Sequence, residues 1–203
     1  MNEKFYALPE EKQNRIINAG FKVFADNSYK KSPVNEIALE AGISKSLLFF
    51  YFKNKKELYL FLLKKSEELT LKDLQNSGAY EGDDIFDIMY KGLLVKAEMM
   101  RRYPDMGKFS IRAYYEKDPQ VAGDVRKIVA PYTKMKTNKT LPKMDVSKFK
   151  EGLDLQMMYQ DMYLASEGYL WQMQQSGNIN VDRMVEDYRK IIDFWKSIYL
   201  TEE

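Results

Sequence analysis

From residue 9 onward, apolar and polar positions recur at helical spacing, and no stretch makes a convincing strand. Ile16, Ile17, Gly20, Phe21 and Phe24 share one face of a helix predicted over 9–27. Pro9 stands at its start, and Glu10 and Glu11 suit the positive end of its dipole. Two shorter helices are predicted within Ser32–Lys53, with Ser32 as N-cap and Pro33 at the first helical position of the first. Gly42 follows that helix, where a left-handed backbone is expected, and Ser44 caps the second. Ile37, Ala41, Ile43, Leu48 and Tyr51 fall on the inner faces, Phe52 joins the core, and Ala38 is small enough for a close crossing. This is the pattern of a helix-turn-helix, with a plain αα-corner as the bland alternative.

Asn54 is placed to cap a long fourth helix carried by Leu58, Phe61, Leu62, Leu69 and Leu74 to about Ser77, and Gly78 and Gly82 bracket the break after it. Helices are predicted over 84–102, ended by Pro104, and over 107–115 and 120–129. The lysine-bearing connection 131–145 reads as a solvated loop in preference to a second nucleic-acid patch, since it lacks interleaved aromatics. Two long helices close the chain, over 146–175 and from a cap at Asn180 or Asp182. In the last of them Val181, Met184, Val185, Tyr188, Ile191, Ile192, Trp195, Ile198 and Tyr199 hold helical spacing throughout. The fold class is all-α. A boundary at 54/55 separates an N-terminal three-helix unit from a helical body.

Charge sharpens that division. Residues 1–56 hold ten Lys and Arg against six Asp and Glu, a net of +4, whereas 57–203 carry a net of −2. A basic end on a slightly acidic body is what a DNA-reading end requires. The chain has no cysteine and no histidine, which removes thiol chemistry, the commonest metal ligands and the commonest general base. No enzyme, no cofactor and no metal site is expected. No apolar run nears the ~20 residues of a membrane helix, and Met-Asn-Glu-Lys-Phe-Tyr at the start lacks a signal-peptide core, so the expectation is a cytoplasmic protein without a membrane partner.

The residues that carry the helix-turn-helix resemble the TetR family of bacterial transcriptional regulators. The likeness runs through Arg15–Ala19, Phe24–Tyr29, Val34–Ala38, Ala41–Lys45 and Leu48–Leu58, about a quarter of the chain. It implies an N-terminal helix-turn-helix domain over 1–54 and a C-terminal helical ligand-binding and dimerisation domain over 55–203, with the last two helices forming the homodimer. It also implies a dimeric repressor whose partners are an operator in double-stranded DNA and a small-molecule effector. Residue by residue, it implies DNA contacts at Ser32 and Asn35, and at Ser44, Lys45, Ser46 and Leu47 in the first turn of the recognition helix. Lys45 has the reach for guanine or a phosphate, and Leu47 only for a thymine methyl. Phe49 and Phe50 stand where tyrosine is usual, Tyr51 where histidine or tyrosine is usual, and Lys55 where a lysine clamps a phosphate. Two departures stand out: Ser46 replaces a frequent glycine, and Phe49 lacks the hydroxyl that would donate to a phosphate.

Eleven of the twelve methionines follow residue 88, interleaved with tyrosines, a composition suited to an adaptable apolar pocket as well as to an ordinary core. Met99, Phe109, Tyr114, Met158, Met162, Tyr163, Glu167 and Trp171 are the candidate lining for a small, mostly apolar ligand. Glu98 and Glu167 either pair with a cationic group there or face solvent. The alternative reading keeps the DNA-binding head but makes the body a platform for a protein partner, as in architectural or division-control proteins.

Overall fold

In a computed structural model, which describes residues 3–130, 144–177 and 179–201, the helical periodicity becomes helix nearly throughout. The part of the lysine-bearing connection over 131–143 lies outside the described residues. The elements are α1 (Glu3–Tyr6), α2 (Glu10–Asp26), α3 (Val34–Glu40), α4 (Lys45–Phe52), α5 (Lys55–Asn76), α6 (Ile85–Arg102) and α7 (Pro104–Tyr114). Then come α8, helical over 122–130, and α9 (Leu155–Ser176) and α10 (Val181–Tyr199). Packing divides the chain into two compact units, Met1–Leu69 with Tyr103–Pro131, and Thr70–Arg102 with Tyr132–Glu203. The division falls inside α5. The helix-turn-helix ends with α4 at Phe52, and packing groups more of the chain with it, because α7 lies along α2.

The first unit is built around aromatic rings. Phe24, Tyr59 and Phe109 meet edge-on or tilted, with Phe24–Tyr59 at 4.9 Å and Tyr59–Phe109 at 5.2 Å between centroids, and all three are at most 1 % exposed. Gly20 sits mid-helix in α2 because α5 comes so close: a Cβ there would lie 2.6 Å from Leu62 Cδ1. Polar bonds tie the end of α2 and the link after it to α7 and the turn that follows. Arg112 Nε donates to the Ala25 carbonyl at 2.9 Å, Lys108 pairs with Asp26, and the Tyr29 amide donates to Glu116 Oε2 at 2.8 Å. Lys56 at the start of α5 pairs with Asp124 of α8 at 2.7 Å.

The second unit packs α6, α9 and α10 around Ile85, Phe86, Phe149, Met158, Met162, Tyr188, Ile192 and Trp195. Three tyrosine hydroxyls stitch α9 to α10 along their length: Tyr169 donates to Asp187 at 3.0 Å, Tyr199 donates to Asp161 at 3.0 Å, and Ser166 and Tyr188 share a bond at 2.7 Å. Asn180 caps α10 by accepting from the Arg183 amide. Gly177 ends α9 in the left-handed conformation at φ 69°.

Three local expectations are corrected. The helix predicted over 146–175 begins at Leu155, where Asp154 accepts from the Gln156 and Met157 amides. Before it, Val146–Lys148 is a single 3₁₀ turn, Phe149 makes an isolated antiparallel bridge with Leu200, and Gly152 turns the chain at φ 79°. The segment predicted to start at Gly107 starts at Pro104, which ends one helix and opens the next because its missing N–H is an orphan donor there anyway. Lastly, Ser32 does not cap α3. Pro33 holds the cap position with no side-chain bond, and the Ser32 hydroxyl points back to donate to the Ser28 carbonyl at 2.8 Å.

Candidate nucleic-acid interface

α3 and α4 form the helix-turn-helix through local chemistry. α3 stops at Glu40, and Gly42 takes φ 63°, a conformation that is costly for a residue with a Cβ. Ser44 then accepts from the Leu47 amide at 3.1 Å, a cap of about 1 kcal/mol. Ile37, Ala38, Ala41, Leu48 and Phe52 are buried as the pattern required, and Ile43 is half-buried. What remains outside is the first turn of α4: Ser44, Lys45 and Ser46 are exposed and Leu47 is half-buried. The Ser44 and Ser46 hydroxyls lie 2.9 Å apart, presenting two groups that donate or accept beside the Lys45 ammonium. Donors, acceptors, one cation and one apolar edge at the start of a solvent-facing helix can read base edges in a major groove.

The other candidates separate into exposed and buried sets. Asn35 is exposed on the first turn of α3. Phe49 is half-buried with the Lys45 ammonium 5.8 Å from its ring, and Phe50 is 47 % exposed with Lys4 at 5.3 Å. Ser32 and Tyr51 are 3 % and 5 % exposed, and the Tyr51 ring packs edge-on against Phe5, so both lie chiefly in the core. Lys55 is half-buried and already a clamp within the chain. Its ammonium donates to the Ser32 carbonyl at 2.7 Å and the Lys30 carbonyl at 3.1 Å, and stands over the Tyr29 ring at 5.1 Å. Burial pushes the Lys55 pKa below the ordinary lysine value, with Asp118 opposing. An ammonium has three protons, so two backbone bonds leave one direction for a phosphate.

The body residues expected to line one pocket fall in both units. Phe109 and Tyr114 belong to α7 in the first unit, with Phe109 fully buried between Phe21, Phe24 and Tyr59. Met99, Met158, Met162, Tyr163, Glu167 and Trp171 belong to the second. Met158 and Met162 are at most 2 % exposed in its core, Met99 is buried on α6, and Tyr163 and Glu167 are half-buried on α9. Trp171 is 36 % exposed on α9. Met157 and Leu164 on α9 are also open, at 62 % and 59 %, as are Phe194 and Ile198 on α10, at 61 % and 39 %. Glu98 is exposed and ion-paired with Arg101.

The spacing of apolar residues passed over one element of the head. α1 is too short to show a period, and its only signal was the aromatic pair Phe5-Tyr6 after the charged Glu3 and Lys4. Among the described residues, no helix is long and apolar enough to cross a membrane, and no group of three or more acidic side chains is placed to hold a metal ion.

This arrangement, a capped and solvent-facing helix after a left-handed glycine turn, is that of a helix-turn-helix protein. Residues 16–61 match the family model of bacterial regulatory proteins, tetR family, a likeness carried by the N-terminal domain. It is 39 % identical over 54 residues to the fatty acid metabolism regulator protein of Bacillus subtilis, a match covering 27 % of this chain. The matched stretch spans 28 % of that relative, so the sequence likeness speaks for the head. The fold likeness is wider. A TetR family transcriptional regulator from Chloroflexus aurantiacus superposes with a TM-score of 0.72 at 21 % identity, over 99 % of both chains. The regulator FadR from Bacillus subtilis, solved in complex with stearoyl-CoA, superposes with a TM-score of 0.69 at 17 % identity, over 91 % of this chain and 97 % of that one.

Proposed function

We propose that this protein is a sequence-specific DNA-binding transcriptional regulator, a homodimeric repressor released from its operator by a small, mostly apolar effector. The observation that carries the reading is the first turn of α4, where Ser44, Lys45 and Ser46 are held outward by a cap and a left-handed glycine. Asn35 and Leu47 complete the base-reading set, and Lys55 is the phosphate clamp. The dimer forms through α9 and α10, whose open Met157, Leu164, Trp171, Phe194 and Ile198 are apolar surface of the kind that marks a partner. A twofold dimer puts two recognition helices into successive major grooves of a near-palindrome, half-sites being about 34 Å or a multiple apart.

The effector site lies in the second unit among Met99, Met158, Met162, Tyr163, Glu167 and Trp171. Methionines repack readily around an apolar guest. The stearoyl-CoA held by the structural neighbour is a ligand with an apolar chain of this kind, which supports the choice of ligand class. An effector weakens DNA binding by no more than its differential affinity for the two arrangements of the dimer.

The test is selection from a pool of random-sequence duplexes at physiological salt. Enrichment of a near-palindrome by a dimeric protein supports the reading, and recovery of random sequence overturns it. On the selected duplex, Lys55→Ala lowers affinity for every sequence and flattens the salt dependence. A loss confined to one base pair overturns its assignment to a phosphate. Stable dimers with no sequence preference that retain a stoichiometric protein partner support the platform alternative instead.

A further inference from the structure

The proposed reading of the head leaves one feature of the DNA-facing surface unexplained. α1 has four residues, far below the length at which a helix persists alone, so something outside it holds it in place. The anchor is its own Phe5, packed into rings of α4 and α5. Its side chain is fully buried, with ring centroids 4.9 Å from Phe52, 5.5 Å from Phe61 and 5.9 Å from Tyr51. Phe52 and Tyr51 are the inward residues of α4 itself, so α1 is pegged to the underside of the recognition helix. The neighbouring residue, Lys4, then emerges on the other side. Its ammonium stands 5.3 Å from the centroid of Phe50, the 47 % exposed ring of that helix.

We propose that Lys4 is a phosphate contact of the DNA-reading surface, carried there by α1 and held over Phe50. Three observations converge. Phe50 lies one turn after Ser46 on α4, so a cation on its ring shares the face that carries the exposed first turn. A phenyl ring offers no hydrogen-bond donor, whereas an ammonium resting on its face keeps protons directed away from it. The peg restricts α1, so a contact to a phosphate costs less ordering than one from a free chain end. Lys45 over Phe49 repeats the arrangement on the same helix at 5.8 Å. The charge that opposes it on α1 is Glu3, which is exposed.

The inference rests on the DNA-binding reading, and the experiment separates the two. The probe is the duplex that the wild-type protein enriches from a random pool; if nothing is enriched, the reading and the inference fall together before any variant is made. On that duplex, log K is measured against log salt for wild type, Lys4→Ala, Lys4→Arg and Phe5→Ala. Loss of one phosphate contact lowers the slope by about 0.9. Lys4→Ala is expected to show that loss, with equal weakening on a scrambled duplex and an unchanged melting temperature. Lys4→Arg is expected to restore the slope. Phe5→Ala, which frees α1, is expected to lose as much slope as Lys4→Ala; if it does not fold, the two Lys4 variants decide. An unchanged slope in Lys4→Ala overturns the proposal, and so does a lost slope that Lys4→Arg leaves lost.

Discussion

The two units differ in the make-up of their cores and in where their exposed apolar residues sit, the first leaving Tyr6, Leu39, Phe50 and Tyr103 open on α1, α3, α4 and just before α7. In the first, Phe5, Phe24, Phe52, Tyr59 and Phe109 are all at most 1 % exposed, ring against ring, and polar bonds from α7 and the turn after it fasten the link between α2 and α3. In the second, the core is partly methionine, and α9 and α10 leave Met157, Leu164, Trp171, Phe194 and Ile198 in solvent. Exposed charge does not separate the two, since both units carry it. A reading head must hold its side chains in one register, and a rigid aromatic core does that. Under the proposed function the second unit pairs with a copy of itself and takes in a guest, for which open apolar positions and methionine are suited.

The largest expected effect breaks this contrast at the open face. Phe194→Asp removes no contact within the folded chain worth much, because the ring is 61 % exposed. In a twofold interface it places two carboxylates against apolar surface, at several kcal/mol each. The dimer dissociation constant is expected to rise by about a thousandfold or more, the equivalent of ~4 kcal/mol. Sedimentation measures it, alongside circular dichroism to show that each chain remains folded. A dimer of unchanged strength excludes α10 from the interface.

In the first unit the next effect concerns close packing. Gly20→Ala sets a methyl 2.6 Å from Leu62 Cδ1, and Leu62 is fully buried, so the side chain has little room to retreat. Overpacking of this kind costs about 1–3 kcal/mol, against a gain of ~1 kcal/mol in helix propensity. Net destabilisation by denaturant titration, relieved when Leu62→Val is added, is the expected result. A stabilised single variant means that α2 and α5 can part without cost.

These two cases also mark how far the sequence could be read. The spacing of Ile16, Phe21 and Phe24 identified the inward face of α2, but only the fold reveals that Gly20 faces Leu62. The helix-turn-helix was legible because its signals are local: Gly42 and Ser44 act on their own backbone within three residues. Ser32 misled because a serine before a proline has two local acceptors within reach, and the carbonyl of Ser28 took its hydroxyl. Asp154 was a readable cap, concealed because Leu153 and Leu155 beside it fitted the apolar spacing assigned to one long helix. α1 exists through tertiary packing of Phe5 and left no period to read. Phe109 fell in with a lining set because periodicity gives a residue's face and not its neighbours; it packs in the aromatic core of the first unit.

A smaller effect asks how complete that aromatic core is. Tyr59 is 1 % exposed, and its hydroxyl finds no hydrogen-bond partner among the described residues. Burial raises its pKa far above the ordinary tyrosine value, with Glu116 adding to the rise and Arg112 opposing it. A buried donor without an acceptor costs ~1–3 kcal/mol, and phenylalanine keeps the ring contacts with Phe24 and Phe109. Tyr59→Phe is expected to stabilise the protein by about 1 kcal/mol in denaturant titration. A loss of similar size means that the hydroxyl is satisfied by an internal water.

The smallest effect belongs to the α9–α10 pair and appears only in alkali. Desolvation first, and then the hydrogen bond to Asp187, push the Tyr169 pKa up to about 12; Tyr188 and Tyr199 are also raised, by burial above all. A pKa raised in the folded state favours the protonated form there. The stabilisation is therefore complete below the ordinary tyrosine value near 10 and is lost as pH climbs through the folded value. Stability is expected to fall between about pH 10 and 12, with the hydroxyls that bridge the two helices contributing to the fall alongside buried Tyr59. Tyr169→Phe forgoes one bridge at neutral pH, at ~0.5–1 kcal/mol, and removes its share of the alkaline loss, so the gap between its stability profile and the wild type's closes as pH rises above about 10. Parallel profiles would show that Asp187 holds the Tyr169 hydroxyl with no preference for its proton.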